Sequence, residues 1–319
     1  MGQGRFEFRR LRRRFRRPLR TGAGEVESVD RILLRTEGPE GVGFGEVAPW
    51  PGFPVETADT AAAALREAGG DLARLRSIAR VRGASLPCLA AALSMAARWP
   101  EIARFGGAVA SAGLLDGGPT SAAARLAEGF ACLKLKVAPG DGLEGARAVR
   151  DALPAGGRLR VDANGSLRLD EARAWVGFAR EDERVEFVEQ PLPPDHAGYL
   201  SLGPDRVALD ESVANPTVAR DAARWEGIVV VKPALAGDWD ALEAWAAPRR
   251  NRLVVSSAFE TAVGRQAALW LADRLGTGRT GGFDTLGRFE SDTREAHAGG
   301  PLARGRADLD WEAFWADAA

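Results

Sequence analysis

The chain has 319 residues, enough for two ordinary domains or for one barrel with a small added domain. Its 43 basic and 44 acidic residues leave a net charge of −1, and 45% hydrophobic with 27% charged residues mark an ordinary globular chain, neither disordered nor built as a nucleic-acid or membrane binder. Two cysteines, Cys88 and Cys132, exclude a disulfide framework or a CxxC metal cluster, and two histidines, His196 and His297, argue against a His-rich zinc or iron site.

The first ~95 residues predict a small α+β domain. Phe6–Arg20 and Ser28–Glu37 read as strands of an antiparallel sheet, residues 41–54 as a Gly/Pro-rich loop, and Thr57–Ala68 as an amphipathic helix. Nine arginines between Arg5 and Arg20 read as the solvated basic face of a strand pair, with a phosphate or nucleic-acid patch as the competing reading. No apolar run follows Arg16 and Arg17, so a signal peptide is not expected and the chain reads as cytoplasmic. The longest uncharged, mostly apolar stretch covers residues 83–97, too short to span a bilayer. It predicts a buried helix starting near Pro87.

From about residue 130 a new pattern repeats, to which a first strand near Gly107–Leu114 is added. Short apolar runs end in polar clusters and alternate with helical stretches: strands near Gly107–Leu114, Cys132–Val137, Arg158–Val161, Val185–Val188, Arg206–Leu209, Gly227–Val231, Leu253–Val255 and Gly281–Phe283, with helices at Leu169–Arg180, Thr217–Trp225, Trp239–Ala247 and Gly264–Leu275. Eight βα-like units predict an α/β fold closed as a parallel barrel of the TIM type, with an open doubly wound sheet as runner-up. The tail, with Trp311 and Trp315, is expected to pack rather than hang free. The expected organisation is a capping domain, residues 1–95 with part of the tail at about 290–319, and a barrel at 96–289.

The basic residues single out three positions. Of the 43, only Lys134, Lys136 and Lys232 are lysine; the rest are arginine. Arginine does not give up its proton in a protein, whereas lysine can, so these three are candidates for proton transfer. Period two puts Lys134 and Lys136 on one face of their strand. The following strands end in Asp162-Ala163-Asn164, Glu189-Gln190-Pro191, Asp210-Glu211-Ser212 and Lys232-Pro233. Polar residues at the C-terminal strand ends are where barrel enzymes carry their sites.

Asp162, Glu189 and Asp210, on successive strands, can converge on one hard cation such as Mg²⁺ and leave positions for substrate oxygens. Lys136 and Lys232 lie four strands apart in an eight-stranded barrel, hence on opposite sides of the mouth. That arrangement suits removal of a proton next to a carboxylate, with the developing charge held by a cation. A lysine base needs its pKa lowered from about 10.4, which burial, the Lys134 ammonium and the metal would provide.

In this order the motifs resemble the enolase superfamily, muconate-cycloisomerase-like subgroup. Residues 43–53 and Ser256-Ser257-Ala258-Phe259-Glu260 are most similar to its o-succinylbenzoate synthases. The resemblance implies a (β/α)₇β barrel whose eighth strand lacks its outer helix, closed by an α+β capping domain. It implies Mg²⁺, with Mn²⁺ as a substitute, on Asp162, Glu189 and Asp210. Lys136 is the implied acid/base and Lys232 stabilises the enediolate by a cation–π contact. Lys134 supports Lys136, and Asn164 and Glu211 stand behind the ligands. Ser257 and the backbone near Gly282 contact the substrate, and Arg20 lies in a mobile capping loop.

The implied reaction is the syn dehydration of 2-succinyl-6-hydroxy-2,4-cyclohexadiene-1-carboxylate to 2-succinylbenzoate in menaquinone biosynthesis. The implied partner is a small carboxylate, with neither nucleic acid nor membrane, and the oligomeric state stays open. An N-acylamino acid racemase or dipeptide epimerase of the same superfamily is the alternative, against which stands the single Asp284 at the end of strand eight. A non-enzymatic nucleic-acid binder is a second alternative that leaves the lysine and carboxylate series without a role. The GxGxxG match at Gly276–Gly281 follows a helix and precedes a strand, the wrong context for a dinucleotide site.

Overall fold

The computed structural model describes residues 4–318 except 22–23, 52, 54, 215–218, 220–223, 286 and 291–299. Strands β1 (Arg5–Thr21), β2 (Gly24–Gly38) and β3 (Gly41–Val47) form an antiparallel sheet in the order β1-β2-β3. In β2 the run Ile32-Leu33-Leu34 is buried on both faces, as expected of a central strand. Residues 41–47, expected as loop, are strand. Their glycines serve close packing rather than turning: a Cβ on Gly43 would stand 2.2 Å from the Ala96 carbonyl oxygen, and one on Gly45 2.1 Å from that of Ala92.

Helices α1 (Ala58–Ala68), α2 (Leu72–Arg82), α3 (Pro87–Ala97) and α4 (Trp99–Ile102) follow. Thr57 caps α1 through a capping box, and Gly69 ends it in the left-handed region. Asp71 caps α2. The start of α3 is capped at a distance: the buried Glu56 carboxylate accepts from the backbone N–H of Cys88 and Leu89.

The predicted first barrel strand is divided. Its first part, β4 (Ala108–Ala110), pairs outside the barrel with a strand of the tail, and only β5 (Gly113–Leu114) joins the parallel sheet. After α5 (Ala122–Ala127) come β6 (Cys132–Lys136), α6 (Glu144–Ala152), β7 (Arg158–Asp162), α7 (Leu169–Glu181), β8 (Val185–Glu189), α8 (Tyr199–Leu202) and β9 (Val207–Leu209). Then follow β10 (Ile228–Val231), α9 (Trp239–Ala246), β11 (Leu253–Val255) and α10 (Ala262–Leu275). The expected helix at Thr217–Trp225 lies mostly outside the described residues.

The seven strands run in the order β11-β10-β9-β8-β7-β6-β5, and the ring is completed by parallel bridges of Gly281 to Ser111 and of Gly282 to Ser256. This closure excludes the open doubly wound sheet. The fold is an α/β barrel of the TIM type with a capping α+β sheet. In the tail, β12 (Leu302–Arg304) pairs with β4, and α11 (Trp311–Asp317) sets Trp311 edge-on to Trp99 at 4.9 Å.

Leu133, Leu135, Val161 and Val188 face the outer helices, while Phe187, Ala208, Val230 and Val254 form a small apolar cluster inside the barrel. A register shift between Leu159 and Arg160 brings Arg160 opposite Phe187. Arg160 is buried and donates to Glu186, which also accepts from Arg279. Cys132 therefore faces an ionic cluster rather than apolar surroundings, although burial still pushes its thiol up. Both cysteines are buried and unpaired. Gly276 ends α10 in the left-handed region, so the GxGxxG match is a helix stop. His196 is exposed, and His297 lies outside the described residues.

Candidate active site

Register gathers the charged side chains. Lys136 is paired with Asp162, and Asp162 with Glu189, across three adjacent parallel strands. Glu189 is opposite Ala208, and Asp210 shares Ala208's parity just past the end of β9. Lys232 follows β10 in the same sense. Asp162, Glu189 and Asp210 are at most 4% exposed. The Lys134 ammonium lies between the first two, 2.9 Å from Asp162 and 2.8 Å from Glu189. Lys232 is ion-paired with Asp210, and its ammonium stands 4.6 Å from the centre of the Phe53 ring. Lys136 donates to Asn164 Oδ1 at 2.9 Å, and Asn164 Nδ2 donates to Glu211 at 3.2 Å.

The electrostatics show a shortage of positive charge. Burial pushes Glu189 up to about 7; Lys134 opposes this, and the charges of Asp162 and Asp210 add to it. Burial likewise raises Asp210 to about 6 against the pull of Lys232. It also raises Glu211, whose Oε2 is buried without a hydrogen-bond partner. For Asp162, burial is outweighed by Lys134 and Lys136, and its carboxyl is held below the usual range. Lys134 moves upward: burial pulls it down, but Asp162, Glu189 and Asp210 more than offset that, so it is a fixed cation at neutral pH.

Among the described residues no three acidic, His or Cys side chains stand in metal-coordinating geometry; ammonium groups lie against the carboxylates. The donor set nevertheless fits Mg²⁺: it is all oxygen, it is buried, and protons are drawn to it where a cation would serve.

Two expectations, the burial of Lys136 and the loop placement of Arg20, need correction. Lys136 is exposed at the mouth, so the burial expected for it is absent. Arg20 lies in β1, paired with Glu25 near the hairpin end, not in a loop; its side chain is outside the described atoms. Gly282 donates its N–H to Val255, and its carbonyl already accepts from Ser257 and Ser256, so its backbone is engaged within the barrel. Ser257 is buried, donates to Glu260 and accepts from Thr285.

Sequence reasoning also missed a joint behind the seventh strand. Arg31 and Glu46 are both fully buried. Arg31 donates to the carbonyls of Pro49, Ala258 and Phe259, while Glu46 accepts from Thr261 and Gly264 at the start of α10. Burial brings Arg31 down to about 10 despite Glu46, and raises Glu46 despite Arg31. The signal was there: Arg31 interrupts the otherwise apolar inward positions Val29 and Leu33. Phe53 ends the segment 43–53, but only the three-dimensional structure puts it against Lys232.

The Enolase C-terminal domain-like family matches residues 120–238. The o-succinylbenzoate synthase of Thermosynechococcus vestitus is 34% identical over 84% of this chain and 88% of its own. The chain belongs to the o-succinylbenzoate synthase family, within the enolase superfamily. The o-succinylbenzoate synthase of Shigella sonnei is 29% identical over 89% of this chain and 91% of its own. The crystal structure of the o-succinylbenzoate synthase from Thermosynechococcus elongatus BP-1, complexed with Mg in the active site, superposes with a TM-score of 0.81 at 31% identity, covering 98% of this chain and 99% of that one. The L-Ala-D/L-Glu epimerase from Bacillus subtilis, at 21% identity and a TM-score of 0.75 over 95% and 96% of the two chains, shares the fold.

Proposed function

We propose that this protein is an o-succinylbenzoate synthase, a carbon–oxygen lyase that dehydrates 2-succinyl-6-hydroxy-2,4-cyclohexadiene-1-carboxylate to 2-succinylbenzoate in menaquinone biosynthesis. The observation that carries the reading is the row Lys136–Asp162–Glu189 in register, faced by Asp210 and Lys232. Asp162, Glu189 and Asp210 would hold Mg²⁺, with Mn²⁺ as a substitute, which supplies positive charge at the substrate carboxylate when bound.

Lys136 Nζ takes the proton from the carbon next to that carboxylate. It then returns the proton to the departing hydroxyl, so that water leaves and the ring becomes aromatic. A single ammonium/amine thus serves both halves of a syn elimination. Its partner Asn164 orients it. Lys232, held between Asp210 and the Phe53 ring, faces the charge that develops. Lys134 holds Asp162 and Glu189 in one arrangement, and Glu211 braces Asn164. The substrate contacts expected of Ser257, Gly282 and Arg20 remain proposals that rest on the family resemblance. The small-molecule carboxylate is the partner, and a cytoplasmic location fits an aromatic precursor made from soluble intermediates.

A racemase or dipeptide epimerase would use both lysines on opposite faces. Against it stands Asp284, whose Oδ2 already accepts from the Leu114 N–H and from Arg125. The test is the purified protein with Mg²⁺, given the cyclohexadiene substrate in one arm and L-Ala-L-Glu in D₂O in another. Formation of 2-succinylbenzoate that stops with EDTA supports the reading. Deuterium exchange of the dipeptide without dehydration would replace it by the epimerase.

A further inference from the structure

Gln190 has no role in the chemistry above, yet it touches every strand end that carries a carboxylate of the site. It is fully buried, and its backbone is left-handed, with φ of 39°. Its Oε1 accepts from the N–H of Asp210 at 3.0 Å and from the N–H of Ser212 at 3.2 Å. Its Nε2 lies 2.9 Å from the Leu192 carbonyl, 2.7 Å from the Tyr199 hydroxyl and 2.8 Å from the Ser212 hydroxyl. Tyr199, the chain's single tyrosine, in turn donates to the Leu192 carbonyl. The Gln190 backbone N–H donates to Ala208, and its carbonyl accepts from Gly165 in the loop after Asp162.

We infer that Gln190 is a positioning residue that fixes the backbone of Asp210 against Glu189 and Asp162, so that the three carboxylates meet one cation. Two N–H donors on β9's continuation fix which end of the amide faces them. The fixed end sits on the peptide that carries Asp210, and the other end is tied to the loop after Glu189. Freeing that peptide lets the Asp210 carboxylate drift from its neighbours. Residues that orient ligands in this way typically change metal affinity by about 10–100-fold.

The inference rests on the metal reading above, and calorimetric titration with Mg²⁺ separates the two. The variants are Gln190→Met, close in volume but without the amide, and Gln190→Glu, which keeps an oxygen toward the Asp210 and Ser212 N–H groups. Neither changes the backbone demand, since both are ordinary residues at the same φ. Gln190→Met should bind Mg²⁺ about 10–100-fold more weakly than the parent, with dehydration recovering as Mg²⁺ is raised. Gln190→Glu should bind more tightly than Gln190→Met. A parent that binds Mg²⁺ beside a Gln190→Met protein of equal affinity overturns the inference, even if that variant melts earlier. A parent that binds no Mg²⁺ overturns the metal reading itself. If Gln190→Met does not fold, Tyr199→Phe decides: weaker Mg²⁺ binding supports the inference, and unchanged binding overturns it.

Discussion

Three lysines in a chain of 43 basic residues all stand at the site, where an arginine could not exchange a proton. Their place at the C-terminal ends of successive strands singled out Asp162, Glu189 and Asp210. The contacts of Gln190 and Phe53 were not legible, because their partners lie on other strands and loops and sequence spacing does not report them; Arg31 broke the apolar parity of its strand, but its pairing with Glu46 did not show. At this scale Asp210→Asn should weaken Mg²⁺ binding, since it removes one of the charges that compete for protons in the site. Circular dichroism and the melting temperature in EDTA should stay near those of the parent. Unchanged Mg²⁺ affinity would remove Asp210 from the metal site.

Elements were read well where the apolar spacing is clear, as in α1, α3, α7 and the barrel strands β6 to β11. The reading failed at β3 because glycine was taken as a turn signal. There it admits the α3 backbone, a reason that depends on a neighbour some fifty residues on. Gly45→Ala should therefore act as overpacking and cost about 1–3 kcal/mol in urea unfolding. A cost below a few tenths of that would mean the helix can retreat freely.

Glu56, at the start of α3, gives a pH test. Burial pushes its carboxyl from 4.5 up to about 8, against the two N–H groups it accepts. The folded state therefore holds an extra proton between those values, and this group's contribution to stability is full below about 4.5 and lost as pH rises toward 8. Urea midpoints of the parent should fall between pH 5 and pH 8 more than those of Glu56→Gln. Parallel pH dependence in the two proteins would refute the assignment.

The closed barrel was legible in the whole molecule from eight evenly spaced units, but the docking of the cap on it was not. The Arg31–Glu46 joint ties the N-terminal sheet to the loop after β11 and to the start of α10, near Ser257. Glu46→Ala takes the ion-pair partner from the buried Arg31, which should cost about 3–5 kcal/mol in urea unfolding. A loss under about 1 kcal/mol would show that the joint is filled by other contacts. No helix among the described residues is long and apolar enough to cross a membrane.

Sheet register sets Lys136 beside Asp162, and replacing this lysine is the most direct test. Lys136→Arg keeps the charge and the stem but cannot serve as a base. With Mg²⁺ affinity measured in parallel and close to the parent's, dehydration of the cyclohexadiene substrate should fall by about 10²–10⁴-fold or more. Dehydration within tenfold of the parent would contradict proton transfer by Lys136.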